Sequence, residues 1–385
     1  MKSKELPEGG QIKKISELII DQLSGFACAI DTMVEKDGYV QLRPFNFGDN
    51  GRLKLDTLYQ IPIDQVDKNL YSLRKGDILF NNTNSIELVG KSVLVDKEYP
   101  FAFSNHINRL RVDTNSVIPA YFQYQLRHMW IKEHFALNCK KWIGQAGYTF
   151  NKLAEQMIFL PSLENQQKIV EKLDNQMAQI EMMKKEAEKE KEAVEIFFLP
   201  FINEILTRYS SNSKAKKIKD VIEINYGKSL SGWVRKKGSV PVYGSNGVVG
   251  YHTEHLIDFN TIIIGRKGSA GEITYVDEPS WPIDTTYYIK TRYNLKYIYY
   301  LLMSLGLSKI KQRGVKPGLN RDDAYDLPIN FVDNLSEQEE IARILNNKSK
   351  EIEMLTHQIV DQLNAINQLP ASILNEVFGQ YQINS

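Results

Sequence analysis

The chain has 385 residues, 42% hydrophobic and 25% charged, with a formal net charge of +1, so it is long enough for two or three domains with their own cores and too apolar for wholesale disorder. No apolar run approaches ~18 residues, which argues against a transmembrane helix, and residues 1–8 contain no apolar signal region, so no secretory leader is expected. Two cysteines, Cys28 and Cys139, are too few for a disulfide framework or a zinc site, and a reducing cytoplasm is the expected compartment.

Residues 12–23 read as a short amphipathic helix or strand, and β-type alternation follows at 39–47 and 77–95, broken by Gly-Asp, Asn-Asn and Val-Gly turns. Residues 119–135 read as a buried helix, 142–148 as a loop, and about 164–198 as a long helix stopped by Pro200. The Ser/Asn/Lys run at 210–217 reads as a linker. Beyond it come a Gly-punctuated hairpin at 241–251, a buried strand at 261–264 entering a Gly-rich turn at 265–271, a helix at 295–312 and a loop at 314–320. Ser336 and Glu339 have the spacing of a capping box at the start of a second long helix.

The long helices repeat each other. Heptad positions Ile169, Leu173, Gln176, Ile180, Met183, Ala187, Glu190, Val194 and Phe197 map onto Ile341, Leu345, Lys348, Ile352, Leu355, Ile359, Gln362, Ile366 and Leu369 at a constant offset of 172 residues. Alternating steps of four and three place one stripe on one helix side, which suits a partner helix. The expected plan is head, helix, head, helix, with boundaries at 1–160, 161–207, 208–333 and 334–385. Charge follows it: the heads are basic (20 basic against 18 acidic residues, then 19 against 12) and the helices acidic (6 against 10, then 3 against 7). Basic heads on an acidic connector fit heads that meet a polyanion.

Catalytic signatures are missing. The turn Gly265-Arg266-Lys267-Gly268-Ser269-Ala270-Gly271 lacks the Gly-Lys-Ser/Thr ending of a phosphate loop and the spacing of a dinucleotide fold. Gly90-Lys91-Ser92 has that ending, but Ser85 stands where the first glycine is needed. His252 and His255 have no further ligand at metal spacing, so no metal is expected. No catalytic residues are assigned. Basic residues beside aromatic or small polar ones are the candidate DNA contacts, through phosphates or base edges. They are Lys140, Lys141 and Trp142 in the first head, and Arg235, Lys236, Lys237, Tyr243, Ser245, Asn246, Arg266, Lys267, Lys311, Arg313 and Lys316 in the second.

Several motifs carry a family resemblance: Leu6-Pro7-Glu8-Gly9, Lys75-Gly76-Asp77-Ile78-Leu79-Phe80, Leu335-Ser336-Glu337-Gln338 with its counterpart at 163–166, the 240–247 hairpin with the 265–271 turn, and Ser372-Ile373-Leu374-Asn375. Together they resemble the specificity subunit of type I restriction-modification systems over nearly the whole chain. The resemblance implies two α/β (α+β) target recognition domains joined by two long antiparallel coiled-coil helices as a pseudo-twofold repeat. It implies that the chain reads a bipartite double-stranded DNA target and docks two methyltransferase subunits and the restriction subunits. Adenine N6 methylation would use S-adenosylmethionine held by the partner, with no cofactor on this chain. The alternatives are the specificity subunit of a two-gene system whose partner fuses methylation and cleavage, and a non-catalytic coiled-coil scaffold. If the helices act as a ruler, ~35 residues at ~1.5 Å each would span roughly 52 Å.

Overall fold

The computed structural model describes residues 10–28, 33–35, 37–310 and 318–379. The chain divides into two compact units, residues 1–186 with 363–385, and residues 187–362. Each unit holds one head and a stretch of both long helices.

In the first unit the head is closed by antiparallel pairing of its first strand, Gln11–Lys14, with its last, Met157–Leu160. A four-stranded antiparallel sheet runs in the order Ile19–Ser24, Ile107–Val112, Ile78–Asn81, Ser92–Leu94. A three-stranded sheet places Tyr39–Leu42 between an antiparallel partner, Tyr59–Ile61, and a parallel one, Ala102–Phe103. Leu42, Phe47, Leu79, Phe103 and Ile107 form a core of these strands.

The second head repeats the order of these strands. A further sheet of the first head, in which Gln145–Gly147 lies between Lys140–Trp142 and Thr83–Asn84, is matched among the described residues of the second only by the bridge of Lys267 to Gly318. Ser213–Lys217 pairs with Pro328–Val332. The four-stranded sheet is Glu223–Tyr226, Thr286–Lys290, Thr261–Gly265, Ile273–Val276, and the three-stranded one places Val240–Gly244 between antiparallel Gly247–His252 and parallel Trp281–Pro282. The run expected as a linker at 210–217 is therefore largely an edge strand. The first head has the counterpart of the second head's hairpin as backbone. Its strands, Tyr39–Leu42 and Tyr59–Ile61, are joined by a long connection instead of the tight turn at Ser245 and Asn246.

Other expectations need correction. The 119–135 helix is two, Pro119–Ile131 and His134–Asn138, broken where Glu133 takes φ 58°. The 142–148 loop is part of a hairpin, Lys140–Trp142 against Gln145–Gly147. The helix expected at 295–312 is Leu295–Ser304, ended by left-handed Gly306 before a short turn, Leu307–Lys309. Residues 311–317, with Lys311, Arg313 and Lys316, lie outside the described residues.

The long helices are longer than expected, Leu163–Arg208 and Leu335–Phe378, and each contains a proline, Pro200 and Pro370. Pro200 does not end the first because Ile202 and Ile205 beyond it are buried in the second unit's core, which offsets the lost backbone hydrogen bond. The second starts from Asn334, whose Oδ1 accepts the backbone N–H groups of Ser336 and Glu337, so the Ser336/Glu339 capping box is not the cap used. Half of the heptad seam is displaced by one residue. The inward-facing residues of the first helix are Val170, Leu173, Met177, Ile180, Ala187 and Val194, whereas Met183 and Phe197 are about half exposed. On the second, Thr356 and Leu363 turn inward instead of Leu355 and Gln362. The 172-residue offset survives, because both helices shift at matching positions. Within each unit the helix stretches run antiparallel: Lys172 pairs with Glu376 in the first, and Lys348 lies over the Phe201 ring in the second.

Twin glutamines fasten each helix to its head. Gln166 and Gln338 are both fully buried. The Gln166 carboxamide accepts from the Ile118 N–H at 2.8 Å and donates to the carbonyls of Ser116 and Pro161. Gln338 accepts from the Asn294 N–H at 3.0 Å and donates to the Val332 carbonyl at 2.7 Å. Each amide satisfies the backbone where a head helix begins, which a buried apolar side chain could not do.

Candidate nucleic-acid interface

The second head's buried strand Thr261–Gly265 runs into the Gly-rich turn, which holds Arg266 and Lys267 at the sheet end. The Arg266 backbone N–H donates to the Thr285 carbonyl, and its carbonyl accepts from the Leu319 N–H. Its Nη1 donates to the Asp284 carbonyl at 2.8 Å. The guanidinium carbon lies 5.1 Å from the centre of the Tyr226 ring, which stands on the sheet's edge strand, beyond Thr286–Lys290. A second guanidinium, of Arg321, lies over the same ring, also at 5.1 Å. A cavity of about 320 Å³ opens here, lined by Tyr226, Arg266, Lys267, Tyr287, Arg321 and Asp322 among others. Burial pushes the Tyr287 phenol above its ordinary pKa, so it stays neutral beside these cations.

Register identifies the matching positions in the first head. Gly265 pairs with Thr286 as Asn81 pairs with Ile107, and Tyr226 faces Tyr287 as Ser24 faces Asn108. The Leu319 N–H meets the Arg266 carbonyl as the Tyr148 N–H meets that of Asn82. Asn320 and Thr149 then cap the short helices that Arg321 and Phe150 begin. The first head thus places Ser24, Asn82, Thr83, Asn108 and Phe150 where the second places Tyr226, Arg266, Lys267, Tyr287 and Arg321. The amides and hydroxyls satisfy one another. Ser24 Oγ and Asn82 Nδ2 donate to Asn108 Oδ1 at 3.0 and 2.8 Å, and Thr83 Oγ1 donates to Asn82 Oδ1 at 2.8 Å.

Beside this network the Lys140–Trp142 hairpin projects. Lys140, Lys141 and Trp142 are exposed, with Lys140 Nζ 5.6 Å from the centre of the Trp142 ring, and Ile143 at the tip is fully exposed.

A family model for the type I restriction modification DNA specificity domain matches residues 49–191 and again 210–365. The chain belongs to that family. Over 173 residues this specificity-family chain is 28% identical to the putative type I restriction enzyme MjaX specificity subunit of Methanocaldococcus jannaschii, a match that spans 44% of this chain and only 40% of that relative. Its fold is that of the HsdS subunit from Thermoanaerobacter tengcongensis (15% identity, TM-score 0.57, 97% and 98% of the two chains). It is also that of a chain in a structure described as the basis of complex assembly and conformational transition of the type I R-M system (16% identity, TM-score 0.77, 97% and 99%).

Among the described residues, the sequence-derived candidates of this type I specificity chain fall into four groups. Arg266 and Lys267 line one cavity, and Lys140, Lys141 and Trp142 share one hairpin. Lys237 and Asn246 are exposed elsewhere on the second head, as is Lys236, which reaches Glu254. Arg235, Ser245 and Tyr243 hold the fold, and Lys311, Arg313 and Lys316 lie outside the described residues. Arg235 donates to the carbonyls of Leu230 and Val249, Ser245 donates to that of Thr285, and Tyr243 is buried against Ile263 and Val276. His252 is a hairpin histidine whose Nδ1 accepts the Lys236 N–H. Sequence reasoning missed Tyr226 and Arg321, which are 95 positions apart and meet only through the sheet. The available signal was weak: an arginine directly after Asn320, a good helix cap. Among the described residues no cluster suits a metal ion, and no helix is long and apolar enough to cross a membrane.

Proposed function

We propose that the chain reads a bipartite double-stranded DNA sequence for a type I restriction-modification enzyme, one part with each head, and carries no chemistry of its own. One observation supports this most: two heads share a strand order, yet the same backbone positions carry neutral amides in one and cations with aromatics in the other. Such a pair suits two different base sequences. Methyl transfer then belongs to a separate methyltransferase subunit holding S-adenosylmethionine, and cleavage to a restriction subunit, in the cytoplasm where the DNA is.

The helices support two copies of the methyltransferase. Met182 and Met183 lie off the inward stripe and are exposed, and so do Met354 and Leu355 at the same 172-residue offset. Twin apolar patches suit two copies of one partner. The helices have 46 and 44 residues, roughly 65–70 Å of helix each at ~1.5 Å per residue.

Methylation mapping of the host genome with and without the gene tests the reading. The expected result is a two-part motif that loses its methylation when the gene is deleted. An unchanged methylome, or methyl transfer by the rigorously purified chain alone, would overturn it.

A further inference from the structure

We propose that the cavity between Tyr226, Arg266, Lys267 and Arg321 is a clamp for one phosphate group, supplied by the DNA backbone, with Arg321 as a ligand. This rests on the DNA-reading function above and assigns a contact within it.

Three cations line one cavity, and among the described residues none forms an ion pair there; Asp322, the carboxylate on its wall, pairs with none of them. Arg266 gives one bond to a backbone carbonyl. Arg321 has a buried Nε with no partner. A buried donor left unmade is costly, and two guanidinium groups on one ring repel each other unless an anion lies between or beside them. Tyr226 holds both by cation–π attraction at 5.1 Å.

The fold does not require these charges. The first head builds the same strand ends and the same capped short helix with Ser24, Asn82, Thr83 and Phe150, none of them charged. Cations that the fold can do without, gathered unpaired around a cavity, suit a ligand. A guanine edge takes one guanidinium. A phosphate accepts from several donors at once and needs no sequence match. Three cations around one space therefore favour phosphate over base.

The test uses the full chain and a random-sequence duplex, because phosphate contacts are independent of sequence. Fluorescence anisotropy is followed over a potassium chloride series for wild type, Arg321→Gln, Arg321→Lys, Lys267→Gln and the Arg321→Gln/Lys267→Gln double variant. Because the clamp neutralises one phosphate, the slope of log K against log salt should shrink by about 0.9 at most in the double variant, by a part of that in each single glutamine variant, and be retained by Arg321→Lys. Lys267 is exposed, so its variant reports even if an Arg321 variant folds poorly. Unchanged slopes in folded variants would overturn the clamp. A second arm compares wild-type melting temperature in inorganic phosphate and in chloride at equal ionic strength. Phosphate should stabilise the wild type and not Arg321→Gln. If phosphate stabilises but the DNA slopes do not move, a free anion is the ligand and the DNA assignment fails. Wild type without salt-dependent DNA affinity would refute the DNA-reading function instead, and the phosphate arm alone would then decide the clamp.

Discussion

The two heads solve one backbone problem with two chemistries. At the sheet end the first head has Ser24, Asn82 and Asn108 closed into a neutral hydrogen-bonded network. The second has Tyr226, Arg266 and Tyr287, joined by Arg321 and left open to a cavity. What the heads share is whatever fixes the chain path: the twin glutamines, the glycines Gly90 and Gly271, and the strand order. What they do not share lies at the exposed strand ends and hairpins. A scaffold that fixes its backbone from within can change its surface without refolding, and a protein that must recognise varied sequences needs that freedom.

The shared part can be broken most severely at the glycines. Gly90 and Gly271 have φ of +84° and +85°. A Cβ would lie 2.2 Å from the Phe135 ring in one head and 2.3 Å from the Ser308 nitrogen in the other. Gly90→Ala and Gly271→Ala should each destabilise by about 3–5 kcal/mol, the sum of backbone strain and overpacking. Urea unfolding would measure this, and a cost below ~1 kcal/mol in one head would show that the two do not rely on the same turn.

A smaller loss of about 2 kcal/mol each is expected for Gln166→Leu and Gln338→Leu, which leave buried backbone groups unpaired. Near-equal losses by thermal or chemical melting would sharpen the pseudo-twofold relation. A large inequality would confine it to geometry.

The smallest effect separates the units by pH. His128 and His134, both in the first unit, are held below the ordinary histidine pKa of 6.5 by burial. A histidine with a depressed folded pKa contributes stability that is full above the unfolded value and is lost as pH falls below about 6.5. Asp49 is lowered by its bond to Lys91, so its contribution is lost only as pH falls through the carboxylate range, from about 3.8 downward. Melting temperature should therefore drop between pH 7.5 and 5.5, and a His128→Gln/His134→Gln variant should drop less. Equal drops would remove these histidines from the account.

Much of this was legible in the residues. The repeat offset, the antiparallel helices and the Gly-rich turn follow from spacing and from the family resemblance. The seam register was half right because Met183, Phe197 and Leu355 are apolar enough to be assigned inward, while Lys184 and Thr356 are more buried than their neighbours Met183 and Leu355. Long stems and a β-branched hydroxyl can line a helix contact that hydropathy alone assigns to solvent. Pro200 read as a stop because local chain chemistry says so, yet tertiary burial of Ile202 and Ile205 carries the helix onward. The two heads were expected as copies, but which residue of one stands for which of the other was hidden, because pairing lies in backbone register, which side chains at strand ends do not encode. Arg321 and Tyr226 were missed for the same reason.

The most direct test of the central claim exchanges one head. The pairing of Ser213–Lys217 with Pro328–Val332 closes the second head on itself, so residues 213–333 can be replaced by the matching segment of another family member. Methylation-site sequencing of the host carrying the chimera should show one half of the motif changed and the other half intact. Loss of both halves in a folded, partner-bound chimera would contradict independent reading by two heads.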